Sequence, residues 1–269
     1  MSNLTLGDIT QLLEQKYPAN SAADWDCVGL VVGNPTATVK RILLVVDVTK
    51  ETVDEAISKE ASLIIAHHPL LLSGVTSISE STHKGELLTT LVRNDIALFT
   101  AHTNADSARP GVSDALALTL GLKLESDCVL EPETGIGRIG TLPNPVLARQ
   151  FVDQISTVLE YSPSPVLLAG NPDKLITTVA VCGGAGDSLL PIVGVSRADA
   201  YVTSDLRHHL ASEFVADSKC VLINIAHWAG EWPWLNLLAQ LLGDAFADKV
   251  EVLVSRIPTD PWTMSTARS

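Results

Sequence analysis

An apolar run ends in two adjacent histidines: Ser62 to Gly74 reads SLIIAHHPLLLSG. Neutral imidazole is a nitrogen donor suited to zinc, iron or manganese, and two of them side by side suggest a metal site. Successive residues of a strand point to opposite faces, so one face has to take up an imidazole. Pro69 favours an extended His68 and removes a backbone donor just beyond it. The two rings are therefore expected to diverge, each serving a different ion of a two-metal site. Taken singly, each histidine has a plainer reading as a hydrogen-bonded residue at a strand terminus.

Four of the seven histidines fall where apolar runs end: His67, His68, His102 and His227. The stretch FTAHTNAD carries His102 and Asp106, and NIAHWAGE carries His227 and Glu231; both read Ala-His-x-x-x-carboxylate. A carboxylate supplies oxygen and can bridge two metals, which neutral imidazole cannot do. His67, His68, Asp106, His227 and Glu231 then make a set of three nitrogen and two carboxylate donors. Five protein ligands for two ions leave positions for water or substrate, as a catalytic site requires. His102 reads either as a residue that orients a ligand or as an acid/base group, and it is the candidate catalytic residue.

The elements that must carry these residues alternate. Thr5 to Tyr17 has the period and cap of a helix, Arg41 to Val48 that of a strand buried on both faces, and TKETVDEAISKE that of a Thr-capped helix. ASLIIAHH follows as a strand, Lys84 to Asn94 as a helix, IALFTAH as a strand and Ser113 to Leu120 as a helix. From Cys128 to Pro145 the pattern dissolves around GIGRIGTL, read as a strand in a connecting region. Alternation resumes with a helix over Val146 to Leu159, strand ITTVAVCG, a helix near Ser188 and strand DAYVTS. Helix DLRHHLASEF, strand CVLINIAH, a helix from Trp234 and a last strand VEVLVS complete the chain. The order predicts an α/β protein with mostly parallel sheets. The segments 42–68 and 178–205 share strand, helix and strand at one step, as an internal duplication would produce, although chance likeness is common among such sequences. Two similar α/β lobes, 1–126 and 127–269 with their termini open to exchange, would then meet at a cleft holding the dinuclear site, since ligands gather outside the carboxyl ends of such strands.

Composition bounds the function. The 269 residues are 46% hydrophobic but only 4% aromatic, so the core must come from Val, Leu, Ile and Ala. A formal charge of -13 argues against nucleic acid or an anionic membrane held by bulk electrostatics. No apolar run reaches the length of a membrane span, and the N-terminal stretch lacks a leader's basic and apolar regions, so a cytoplasmic protein is expected. Cys27, Cys128, Cys182 and Cys220 show no paired spacing and read as buried, reduced thiols.

With these residues in view, DWDCVGLVVG, IIAHHPLLL, AHTNADSARPGVSDALA, VCGGAGDSLL, YVTSDLRHHLA and AHWAGE resemble, in order and spacing, the dinuclear-metal family related to yeast NGG-one-interacting factor three. Its bacterial members are commonly called GTP cyclohydrolase I type 2 homologues. The resemblance implies two α/β lobes, two divalent transition-metal ions per chain and a toroidal homohexamer built as a trimer of dimers. Its ligand pattern falls on His67, His68, Asp106, His227 and Glu231. It also implies a hydrolase acting on a nucleotide-like small molecule. The rival is a non-catalytic metal-binding ring protein, in metal homeostasis, regulation or partner binding. A nucleic-acid-binding ring would need a basic lining around Arg109, Arg138 and Arg207. The sequence departs from the family at Cys27, usually Asn, and at Ser204, usually Gly. Neither is a ligand, and both put substrate contacts and loop shape in question.

Three further features carry plainer readings beside functional ones. Gly183, Gly184 and Gly186 could cradle a phosphate on backbone amides or simply make a tight strand-to-helix turn. His208 is expected on a solvated helix face, with His209 a candidate for the cleft. Trp25, Trp228, Trp232 and Trp234 are read as packing and interface residues rather than a base-stacking platform.

Overall fold

A computed structural model of the chain describes residues 3–160 and 162–266. The chain forms two units, one taking the residues up to Ala108 together with Leu235–Thr259, the other Arg109–Trp234 together with the residues from Asp260. The sequence division was expected at 126/127.

The first unit begins with helix α1 (Leu6–Lys16), whose N-cap Thr5 and Asp8 form a reciprocal capping box. Strands β1 (Gly29–Val32) and β2 (Arg41–Val45), helix α2 (Lys50–Ser58) and strand β3 (Leu63–Ala66) follow, then helix α3 (His83–Arg93), strand β4 (Ala97–Thr100) and the short helix α4 (Thr103–Ser107). Thr49 caps α2 and Thr82 caps α3, each hydroxyl accepting a backbone N–H of the first turn.

The second unit holds helix α5 (Val112–Thr119), strands β5 (Lys123–Glu131) and β6 (Ile136–Leu147), helix α6 (Ala148–Val158), and strands β7 (Leu167–Ala169) and β8 (Leu175–Ala185). Helix α7 (Leu190–Val195), strand β9 (Ala200–Ser204), helix α8 (His208–Asp217) and strand β10 (Val221–Asn224) complete it. Helix α9 (His227–Phe246) starts in this unit, and its later part, with strand β11 (Glu251–Val254), belongs to the first.

The sheets run β1-β4-β3-β2-β11 and β5-β6-β8-β9-β10-β7. In the first, β2, β3, β4 and β11 are parallel and only β1 is antiparallel. In the second, β8, β9 and β10 are parallel and the flanking strands antiparallel. The orders 1-4-3-2 and 7-10-9-8 repeat one topology: an antiparallel strand pairs with the last of three parallel ones. This agrees with the internal likeness read from the sequence.

Burial follows the period of two. On β8, Val179 and Val181 join the cluster under α5 and α6, whereas Ala180 and Cys182 join the one under α7 and α8. On β2, Leu43 and Val45 pack with α2 and α3, while Ile42 and Leu44 are buried on the other face. Strands covered on both faces read as continuous apolar runs, which is why these strands were legible.

The structure corrects the sequence reading in two places. The region from Cys128 to Pro145 is a long antiparallel hairpin, β5 and β6, pairing through β6 with β8 as part of the second sheet. The strand read over GIGRIGTL is β6, while the alternating polar residues of a half-exposed pair hid β5 and the pairing. Helix α9 begins at His227, not at Trp234, and runs through Pro233. The proline removes one ladder donor, but Trp234, Leu235, Leu238 and Leu242 are fully buried and sustain the helix across it. Among the described residues no helix is long and apolar enough to cross a membrane.

Candidate metal centre

In the first unit the imidazoles follow the end of β3. The ladder extends just beyond the strand, with His67 N–H donating to Val45 O at 3.1 Å and His68 N–H to Val46 O at 2.8 Å. Because β3 ends at Ala66 and the chain bends at both histidines, strict alternation of faces no longer applies. The expected divergence of the rings is therefore corrected. Their centroids lie 5.0 Å apart with planes inclined by 40°. One ligating atom from each of His67, His68 and His102 lies within 4.8 Å of the other two.

What each ring can offer is decided by its Nδ1. His67 Nδ1 lies 2.9 Å from the Ala101 carbonyl, which can only accept, so Nδ1 carries the hydrogen and the neutral ring keeps its lone pair on Nε2. His68 Nδ1 faces Asp47 Oδ1 at 2.7 Å, and His102 Nδ1 faces Asp26 Oδ1 at 2.9 Å, with the same consequence. The carboxylates are themselves held. Thr259 donates its hydroxyl to Asp47 Oδ2, and Thr103 donates its backbone N–H to Asp26 Oδ2 at 3.0 Å. Burial alone would raise Asp26, but the hydrogen bonds from Thr103 and His102 hold its carboxyl below the usual range. Burial, and then the neighbouring His67, push His102 below the ordinary histidine value despite Asp26. His102 is the N-cap residue of α4, and Asp106 lies in that helix's first turn, its Oδ1 3.8 Å from His67 Nε2.

The second unit repeats the device. His227 and Glu231 stand one turn apart at the start of α9, on one helix face, with Nε2 and Oε1 2.9 Å apart. His227 Nδ1 faces Asp205 Oδ2 at 2.6 Å, just beyond the end of β9. With its Nδ1 hydrogen on Asp205, His227 turns Nε2 toward a carboxylate oxygen. Two acceptors at that distance need a proton on one of them or a metal ion between them. Gly184, with φ of +71°, lies against this pair. A Cβ on it would sit 2.4 Å from Glu231 Oε1 and 3.2 Å from His227 Nε2. Gly183 and Gly184 are inside β8, not in a turn, and their lack of a side chain makes room for Val112, Glu231 and His227. The glycines serve close approach, so the phosphate cradle is not needed to explain them.

The donor set fits divalent transition metals: neutral imidazoles with fixed tautomers beside carboxylates, each ring held from behind by an oxygen.

The family profile described as Duf34/NIF3 (NGG1p interacting factor 3) matches residues 4–261. The chain belongs to the Duf34/NIF3 family. A Streptomyces coelicolor protein named GTP cyclohydrolase 1 type 2 homolog is 44% identical over 97% of this chain and 95% of its own. A Mycobacterium leprae protein of the same name is 33% identical over 98% and 96%, in an alignment of 374 residues, so that relative is longer. Of solved structures, a Staphylococcus aureus hypothetical protein superposes with a TM-score of 0.88 at 28% identity, covering 98% of this chain and 100% of that one. A Bacillus cereus protein related to NIF3 gives 0.87 at 23% identity over 98% and 100%, a likeness of fold.

Sequence reasoning missed three residues of this Duf34/NIF3 chain: Asp26, Asp47 and Asp205, the carboxylates behind His102, His68 and His227. Each follows or precedes an apolar strand, and two of them lie within quoted motifs, so an acidic residue at a strand end was the available signal. The remaining expectations divide. Cys27 is exposed, its thiol 3.7 Å from the Leu72 carbonyl, while Cys128, Cys182 and Cys220 are buried and free as read. Burial pushes the Cys220 thiol up to about 12. Trp228 and Trp234 are buried packing residues, but Trp25 is exposed. His208 and His209 are both exposed at the start of α8. Ser204 pairs with Ala185 at the end of β9, and its buried hydroxyl has no hydrogen-bond partner among the described residues. The three arginines proposed as a basic lining are engaged within the second unit. Arg138 is fully buried on Asp114, Arg109 donates to the Ser126 and Glu125 carbonyls, and Arg207 pairs with Asp187.

Proposed function

We propose that this Duf34/NIF3 chain is a cytoplasmic dinuclear metal-dependent hydrolase of nucleotide-like small molecules, working as a homohexamer. His67, His68 and Asp106 of the first unit and His227 and Glu231 of the second hold two divalent transition-metal ions, zinc, iron or manganese. The observation that carries the reading is that His67, His68, His102 and His227 each place Nδ1 on an oxygen acceptor, which leaves Nε2 as the donor atom. When bound, such ions polarise the bond under attack and lower the pKa of coordinated water. His102, held below the ordinary histidine range, is neutral at neutral pH and can take a proton at Nε2, with Asp26 stabilising the imidazolium that forms. The nucleotide class is supported by the name that relatives carry, GTP cyclohydrolase 1 type 2 homolog.

Elemental analysis of natively purified protein, with mass by light scattering and a GTP turnover assay, tests the reading. Two transition-metal ions per chain with metal-dependent turnover support it. Metal without turnover of any nucleotide favours the ring-forming binding protein, and a chain without metal removes both.

His68→Ala or Glu231→Ala should strip metal while the circular dichroism stays that of the parent. A variant retaining two ions refutes the ligand assignment. His102→Gln should cost turnover far more than metal, and an empty site would make His102 a ligand instead. Asp47→Ala should weaken metal binding about 10–100-fold in a chelator competition, because His68 loses the group that fixes its tautomer.

A further inference from the structure

We propose that Trp25 is the platform on which a planar heteroaromatic ring of the substrate lies, beside the imidazoles of the first unit. The inference rests on the metal-centre reading for what happens to that ring, and on the following geometry for the stacking. Trp25 is 62% exposed, whereas Trp228 and Trp234 are buried. Trp262 is more exposed still, so exposure alone does not single out Trp25; its fixed place beside the imidazoles does.

The exposure is not that of a loose loop. Asp26, the next residue, accepts the Thr103 N–H at 3.0 Å and pairs with His102 Nδ1 at 2.9 Å. On the other side, Ala23 N–H donates to Thr103 Oγ1 at 2.9 Å, and Asp26 N–H donates to Ala23 O at 2.9 Å. These bonds bracket Trp25 and hold it where its ring centroid is 5.9 Å from that of His102, with the planes at 74°. An edge contact of this kind leaves most of the indole available. Stacked rings settle with centroids roughly 4.5–7 Å apart, so a ring lying on Trp25 comes within two ring separations of His102 and the nitrogen donors grouped with it. Stacking of a base on an aromatic side chain tolerates ring identity, and the geometry commits to the class of ring only.

The test uses the purified protein with its metal content and assembly mass measured first. Guanosine and pterin serve as ring probes and ribose 5-phosphate as a ringless control, each in equilibrium dialysis against metal-loaded and metal-free protein. Trp25→Ala should weaken both ring probes at least tenfold, and Trp25→Phe should stay within a few-fold of wild type. Metal per chain, assembly mass and binding of the control should not change. Equal binding of the ring probes to Trp25→Ala and wild type, or no ring binding by wild type, overturns the proposal. So does an altered assembly mass with unchanged ring binding, which would make Trp25 a subunit contact. A wild-type protein without metal sinks the earlier reading alone, because ring binding is also read on the metal-free protein.

Discussion

Replacing Arg138 with methionine should lower the unfolding free energy by about 3–5 kcal/mol. The guanidinium is fully buried on β6, with Nη2 2.6 Å from Asp114 Oδ2 and Nη1 2.7 Å from the carbonyls of Gly135 and Gly137. Methionine fills much of the space but leaves a buried carboxylate and two carbonyls without their donor, and that loss dominates over any packing gain. Arg109 offers little compensation, since its Nε is 3.9 Å from the other Asp114 oxygen. For a chain of this size the fall in melting temperature should be on the order of 10 °C. The double change Arg138→Met with Asp114→Leu should recover most of the loss. It still forfeits the bond from Gly111 N–H to Asp114 Oδ2 that caps α5, about 1 kcal/mol. Calorimetry of the four proteins checks this. A single variant as stable as wild type would mean that Asp114 finds another partner.

Replacing Gly184 with alanine should disable metal binding by the proposed His227–Glu231 pair at small cost to the fold. The left-handed backbone there costs an alanine about 1–2 kcal/mol. The larger effect is steric, because the new methyl would stand 2.4 Å from Glu231 Oε1 and 3.2 Å from His227 Nε2. Glu231 is buried, so its carboxylate must rotate or the start of α9 must shift. Metal affinity should fall at least tenfold, read by chelator competition, while the unfolding transition moves only slightly. If affinity is unchanged, the pair has room that the geometry denies it and Glu231 is not a ligand.

How much of this was legible in the sequence depends on which force set each feature. The parallel strands were readable because burial on both faces writes a continuous apolar run, and α1 and α2 because Thr5 and Thr49 announce their starts. Of the hairpin, β6 was read in part, as a strand over GIGRIGTL, but β5 and the pairing were not, since their residues are half exposed. The start of α9 was hidden by Pro233, whose local veto yields to the burial of Trp234 and Leu235. At the site, His67, His68, Asp106, His227 and Glu231 were collected from strand ends. The aspartates behind the rings were missed because one carboxylate in an acidic chain carries no signal until an imidazole is seen against it. The ring directions were misjudged for a local reason: alternation was applied one residue past the end of β3.

Strand β11 and the residues up to Thr259 are the last of the chain to join the first unit, after Arg109–Trp234 of the second unit has been made. During synthesis the β2 edge therefore waits unpaired, and so does Asp47, whose Oδ2 takes the Thr259 hydroxyl while Oδ1 holds His68. Roughly 150 residues separate Ala108 from that threonine, on the order of 10 s of translation. A ribosome stalled within the second unit carries a first unit with a bare apolar edge and a carelessly held imidazole, open to chaperones and proteases. The carboxylate that fixes His68 therefore gains its own hydroxyl support only from a residue near the far end of the chain.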